Sequence, residues 1–208
     1  MAKHMLFGHS GGETLPMVVD RVSTWLTPRP WITGCVVHVG TTVDPQMPLR
    51  EGQADVAVEL WTEDGLLVAG SDLPLKDATL YRVREIVEKG SGYPTPGPLP
   101  GVSMVASLMA LPDLAPGEAV AGYDRHPLTA LRVHIGMDHY VRHVTQACET
   151  PGADPYFGFS VLHYATDEDR VRRHYATEDG PRQVAEDVAG YLDMSRIRIM
   201  DARSHRLR

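Results

Sequence analysis

"EKGSGYPTPGPLPG", residues 88–101, places four prolines and four glycines in fourteen positions. Proline removes a backbone donor and glycine costs entropy when ordered, so neither helix nor strand interior suits this stretch. It reads as an exposed linker, assigned to 91–102. About 90 residues lie before it and about 106 after. That near-equality prompts a search for an internal repeat.

Four matches keep the same order in both halves. "VDRVSTWL" (19–26) lies on "YDRHPLTA" (123–130), and "CVVHVG" (35–40) on "YVRHVT" (140–145). "DVAVELW" (55–61) lies on "FGFSVLH" (157–163), and "RVREIVE" (82–88) on "RIRIMDA" (196–202). The offsets are 104, 105, 102 and 114. This alignment sets His38 against His143, Trp61 against His163, and Val22 against His126.

Each half also shows one order of local patterns. An apolar stretch opens it, "HMLFGHS" (4–10) or "SMVASLMAL" (103–111). A helical segment follows; in the second half it starts at Pro116, with Glu118 near the positive end of the helix dipole, and stops at Pro127. Two stretches rich in Val, Tyr, Phe and Thr then read as strands. "DEDRVRRHYATEDGPRQVAEDVAGYLD" (167–193) reads as helix broken at Gly180-Pro181, and a last strand closes the half. In the first half the second helix is short, around "TEDGLLVAGSD" (62–72). The order is β-α-β-β-α-β, the ferredoxin-like unit. The fold class expected is α+β, with a degenerate ferredoxin-like repeat at 1–90 and a second at 103–208.

Composition narrows the function classes. Hydrophobic residues are 43% and charged residues 23% of 208, ordinary for a globular chain. A net charge of −7 and no Lys/Arg run argue against nucleic acid. No apolar run reaches the ~20 residues that span a bilayer. "MAKHMLFGHSGGE" lacks the apolar core of a secretory signal. Cys35 and Cys148 form no metal spacing and no disulfide framework, so a reducing cytoplasm is expected. There is no Gly-x-Ser-x-Gly and no Rossmann fingerprint, and "GHSGGE" (8–13) lacks the lysine of a phosphate loop.

The stretch "MVASLMALPDLAPGEAVAGYDRHPLTALRVHIGMDHYV" (104–141), with "EDVAGYLD" (186–193), resembles the EthD-like proteins of the dimeric α/β-barrel superfamily. The shared pattern is an apolar strand, a Pro/Gly turn, and a helix ending in an aromatic, a charged pair and His-Pro-Leu. Gly and Tyr-Val then begin the next strand. The resemblance covers about 100 residues of the second half and a fainter 80 of the first. It implies two ferredoxin-like units packed sheet to sheet around a central cavity, fused here in one chain or paired between two chains as a homodimer. The superfamily includes cofactor-free monooxygenases, polyketide cyclases, dehydratases, isomerases and haem proteins, so the residues must select the reaction.

"YDRHPLTALRVHIGMDHYVRHVTQ" (123–146) gathers four of the ten histidines. His126 ends the first helix, and in the resembled family the corresponding histidine faces the cavity. Histidine's reference pKa of about 6.5 suits proton transfer near neutrality. The alternative is a C-capping histidine that bonds carbonyls. On the strand, Val141, His143 and Thr145 share one face, and Tyr140, Arg142 and Val144 the other. If the histidine faces line the cavity, His38 and His143 flank a ligand from opposed sheets and Tyr140 packs under the helices. In the reverse register Tyr140 and Arg142 line it. Tyr123, Trp61 and His163 complete the candidate substrate-binding set. His134, Asp138 and His139 read as solvated loop residues at a barrel mouth rather than a metal site, and His174 as a solvated helix face. Asp124, about 100° around the helix from His126, implies no carboxylate–histidine pair.

The function expected is cofactor-independent proton transfer on a hydrophobic aromatic or polyketide-type intermediate, giving cyclisation, dehydration or isomerisation. His126 is the base, with His143 and Tyr140 as rivals for its partner. No metal and no cofactor is expected, although one cavity histidine would suffice for haem. The alternatives are a cofactor-free monooxygenase of secondary metabolism, and a non-catalytic binding or accessory protein.

Overall fold

The computed structural model describes all residues except 46–47, 64–71, 91 and 94. The first half supplies β1 (Ala2–His9), α1 (Leu15–Leu26), β2 (Ile32–Thr41), β3 (Val56–Thr62) and β4 (Lys76–Lys89). The linker adds β5 (Gly97–Pro98). The second half supplies β6 (Val102–Leu108), α2 (Pro116–Arg125), α3 (Pro127–Val133), β7 (Met137–Cys148), β8 (Gly158–Tyr164), α4 (Asp167–Arg172), α5 (Gly180–Val188) and β9 (Arg198–Arg206).

Eight strands close into an antiparallel barrel in the order β2-β3-β1-β4-β7-β8-β6-β9, with β9 returning to β2 and β5 appended to β9. Each half contributes its four strands in the spatial order second, third, first, fourth. The halves join at β4–β7 and β2–β9, so the barrel closes within one chain.

Period-2 alternation divides the barrel into two surfaces. Inward positions carry Met5, Phe7, Tyr81, Val105, Phe159 and Met200, packed as one cluster. Outward positions of the first half pack under α1, whose Val18, Val19, Val22 and Leu26 form one helical stripe. Outward positions of the second half pack under α2, α3 and α5. The lumen is filled by side chains at its middle, and open space remains toward one end of the barrel, where a cavity of about 280 Å³ is lined by Phe7, Tyr81, Val105 and Met200 among others. An eight-stranded barrel is just narrow enough for its own side chains to fill it.

The sheet register changes part of the alignment between the two halves. His38 faces Ala57 as His143 faces Phe159, in keeping with offsets of 105 and 102. Met5 faces Tyr81 while Val105 faces Met200, so the last strands correspond 119 residues apart rather than 114. Counted from Pro16 and Pro116, which open α1 and α2, position 126 falls on Leu26 and not on Val22.

Three local expectations change. The linker is not wholly exposed: Tyr93 is buried against His139 and His163, and Gly97–Pro98 pairs with β9. The helical region after β8 breaks at 173–179, and Gly180-Pro181 begin α5 instead of interrupting it. The short second helix expected around 62–72 falls largely outside the described residues. No helix among the described residues is long and apolar enough to cross a membrane.

Candidate functional site

The seven residues singled out from sequence fall into two places. Tyr123, His126 and Tyr140 meet in a cavity between the outer face of the second-half sheet and its helices. His38, Trp61, His143 and His163 lie inside the barrel.

The helix-side cavity has a volume of about 120 Å³ and is lined mostly by apolar groups such as Met104, Leu162, Val188 and Ile199. α2 begins where the Glu118 carboxylate accepts the Ala115 N–H at 3.1 Å. Pro127 does not stop the helical path. The His126 carbonyl accepts N–H bonds from Thr129 and Ala130, and Pro127 opens α3, where its missing donor costs nothing. His126 is thus the shared cap residue between two helices, its side chain makes no capping bond at α3, and it stands outside the barrel wall.

Its side chain is 13% exposed and meets Asp187 of α5, with Nδ1 and Oδ2 2.6 Å apart. Thr129 donates to the other oxygen of Asp187 at 3.1 Å. A carboxylate accepts, so Nδ1 carries a hydrogen; in the neutral ring Nε2 then presents a lone pair. Beside it the Tyr123 ring lies nearly parallel to the imidazole, and its hydroxyl bonds Ser160 Oγ and the Phe159 carbonyl at 2.8 Å each. Tyr123 comes this close to β8 because residue 158 is glycine: a Cβ there would lie 3.0 Å from the Tyr123 ring. Tyr140 packs under the helices as the histidine-inward register requires. Its hydroxyl is buried near the Ser160 hydroxyl but makes no well-formed hydrogen bond among the described residues, and burial pushes it well above the ordinary tyrosine range.

Two further histidines line the same cavity, and neither is solvated as expected. His134 ends α3 and His174 lies between α4 and α5; they are 5% and 7% exposed. Their rings stack at 4.3 Å between centroids. Burial pulls His134 down to about 4 and His174 down to about 2, so both are uncharged near neutrality. His139 is also buried rather than solvated, against Tyr93.

Inside the barrel, each of the eight strands turns one polar side chain into a single connected belt. The first half gives Lys3, His38, Glu59 and Glu85; the second gives Ser103, His143, His163 and Ser204. Lys3 Nζ bonds Glu59 at 2.6 Å, also bonds Glu85, and sits 3.1 Å over the Trp61 ring. His38 Nε2 meets Glu59 at 2.9 Å, and its Nδ1 meets Ser204 Oγ at 2.7 Å. Ser204 donates to Ser103 at 2.9 Å, and Ser103 meets His163 at 3.1 Å. His143 Nε2 stands 3.3 Å from Glu59 and 3.6 Å from Glu85. Burial alone would raise the Glu59 carboxyl; Lys3, His143 and His38 overcome it and hold the group well below the usual carboxylate range. Burial likewise opposes Glu85, yet His143 and Lys3 hold it at about 2.

His38 and His143 do stand on opposed half-barrels, but Glu59 lies between them rather than a ligand. Glu59, Glu85 and His143 have the donor types of a metal site, with ligand atoms within 4.8 Å of one another. The Lys3 ammonium already sits between the two carboxylates and supplies the positive charge a metal would bring.

Sequence reading missed Asp187, Lys3, Glu59 and Glu85. Asp187 lies 61 residues from its histidine, and nothing local links them. Glu59 had a signal: alternation in "VAVELWT" puts it on one face with Ala57 and Trp61, a carboxylate turned inward in an otherwise apolar strand.

No family model matches this sequence, and no curated protein does. Among solved structures the chain is similar to an anthrone oxidase-like protein, at 10% identity and a TM-score of 0.60, over 99% of this chain and 92% of that one. It is also similar to a candidate monooxygenase from Fusobacterium nucleatum subsp. nucleatum, at 6% identity and a TM-score of 0.51, over 100% of this chain and 92% of that one. At such identities the likeness is one of fold, a closed eight-stranded antiparallel barrel with helices on its outside.

Proposed function

We propose that this chain is a cofactor-independent enzyme that removes a proton beside the carbonyl of a hydrophobic aromatic, polyketide-type substrate held in the helix-side cavity. One observation carries the reading: Asp187 fixes the His126 ring through Nδ1 and leaves Nε2 as a base in an apolar recess. The proton passes from carbon to Nε2, and the electron pair moves onto the carbonyl oxygen. The neutral Tyr140 hydroxyl, which makes no well-formed hydrogen bond among the described residues, donates to that oxygen as its charge develops. Cyclisation, dehydration and isomerisation all begin with this step. In this reading His143, His38, Trp61 and His163 hold the barrel together and do not touch substrate.

The EthD-like resemblance and the description of 1–90 and 103–208 as tandem ferredoxin-like units belong to the same proposal. The strand order repeated in both halves supports the second of these. A cytoplasmic enzyme without metal or haem completes it.

A second reading is cofactor-free monooxygenation, favoured by the name of the anthrone oxidase-like neighbour. Here the carbanion reacts with dioxygen; one oxygen atom becomes a new carbonyl and the other leaves as water.

Anthrone in deuterated buffer tests both. The protein should accelerate exchange at the anthrone methylene, read by proton NMR. His126→Ala should lose about a hundredfold or more of that acceleration with its melting temperature kept. Conversion to anthraquinone under air, read by absorbance, would favour the second reading. No acceleration by the unaltered protein overturns enzymatic proton abstraction and leaves a binding or accessory role.

A further inference from the structure

The stacked histidines beside the proposed base have a chemistry of their own. The His134 Nδ1 lies 2.8 Å from the His174 carbonyl, which can only accept, so this nitrogen carries the hydrogen and Nε2 is a bare acceptor. The His174 Nδ1 lies 2.6 Å from the Tyr164 hydroxyl. Burial keeps that phenol protonated, and it has no other acceptor among the described residues, so it donates to Nδ1. The hydrogen of His174 therefore sits on Nε2. These two partners thus fix both tautomers, and they fix them oppositely.

Backbone bonds hold the two segments together. Gly136 donates to the Arg173 carbonyl and Ala176 to the Val133 carbonyl, both at 2.8 Å. Tyr175 packs against both imidazoles. The hydrogen bonds of both rings among the described residues are made at Nδ1, none at Nε2, and both side chains line the cavity. An apolar recess with a fixed acceptor beside a fixed donor is matched by a group that both donates and accepts.

We propose that the His134–His174 pair recognises a hydroxyl on the aromatic ligand, and that the cavity selects neutral phenols. The phenol hydrogen goes to His134 Nε2, and the phenol oxygen accepts from His174 Nε2–H. A methyl ether keeps the acceptor but leaves His134 unmatched. A carboxylate sets its negative charge against the His134 lone pair. This inference rests on the cavity being the ligand site, but not on His126 acting as a base.

Fluorescence titration of the intact protein at pH 7.5 with 1-naphthol, 1-methoxynaphthalene, naphthalene and 1-naphthoate tests it. The expected order is 1-naphthol tightest, by roughly tenfold or more over naphthalene and over the ether, because an unmatched buried polar group is costly. His134→Leu and His174→Leu should each erase the preference for 1-naphthol over naphthalene. Equal affinity of the unaltered protein for naphthol and naphthalene overturns hydroxyl recognition and leaves the cavity standing. Failure of the whole series to bind overturns the cavity as ligand site, and this inference with it. Since the ligand series on the unaltered protein decides by itself, a variant that fails to fold does not rescue the proposal.

Discussion

Glu85 and His143 stand directly opposite each other across the β4–β7 seam, with Oε2 and Nε2 3.6 Å apart. At the other seam, β2–β9, His38 stands directly opposite Ser204 in the same belt. The belt thus crosses both joints between the halves, with Glu59 and Lys3 at its centre. Removing one member of a buried ionic group leaves the others uncompensated. Lys3→Met and Glu59→Gln should each destabilise the protein by about 3–5 kcal/mol in denaturant titrations. Arg182→Ala, which removes two exposed ion pairs, to Asp179 and Glu186, should leave the midpoint nearly unchanged.

The uncharged His134 and His174 make stability depend on pH. In the unfolded chain an imidazole titrates near ~6.5. As pH falls below that value, the unfolded state takes up protons that the folded state refuses. The stability they contribute is full above pH ~6.5 and drains as pH falls toward the folded values of about 4 and about 2. Each contributes a slope of up to ~1.4 kcal/mol per pH unit. Melting temperatures from pH 7.5 to 4.5 should fall steeply, and more shallowly in His134→Leu. Glu85 acts at lower pH: its contribution is lost as pH falls from ~4.3 toward about 2. An equal slope with and without His134 would contradict the assignment of a buried neutral ring.

Tyr140 and Asp187 separate function from stability. The Tyr140 hydroxyl makes no well-formed hydrogen bond among the described residues, so Tyr140→Phe should leave the protein as stable or up to ~1 kcal/mol more so. In the proposed reaction it should nevertheless lower turnover by about 10²-fold, as loss of an oxyanion donor does. Asp187→Asn should lower turnover with KM little changed, because the amide no longer enforces the reactive tautomer of His126. If both variants exchange anthrone protons at the unaltered rate, the dyad has no catalytic role.

Gly122 sets how closely α2 approaches the end of α5. A Cβ there would lie 2.5 Å from the Tyr191 ring. Gly122→Ala must push Tyr191, which lines the cavity, or lift the helix. Overpacking of this kind costs about 1–3 kcal/mol, read as a lower melting temperature, and it should weaken naphthalene binding as well.

The two cysteines should differ in reactivity. Cys35 is buried, and burial with the nearby Glu59 charge pushes its thiol up to about 12. Cys148 is exposed. A thiol reagent should label the native protein at Cys148 alone and reach Cys35 only on unfolding.

Much of the architecture is local and was legible in the chain. Alternation around His38 and His143, the prolines that open helices, and the matched spacing of the halves each depend on neighbours a few residues away. They specify strands, helices and a doubled pattern before any tertiary contact forms. What lines the cavity was only half legible. The register of β7 puts Tyr140 under the helices and His143 in the lumen, and one cavity lies on the helix side of the sheet while another opens inside the barrel mouth. Barrel circumference decides this: eight strands enclose an interior that Phe7, Tyr81 and Phe159 close at its middle, which leaves open space toward the ends. The partners were not legible at all. Asp187 reaches His126 from 61 residues away, Glu59 reaches Lys3 from 56, and Ser204 reaches His38 from 166. Sequence sets which face a side chain occupies; only closure of the barrel and docking of its helices decide what waits across from it.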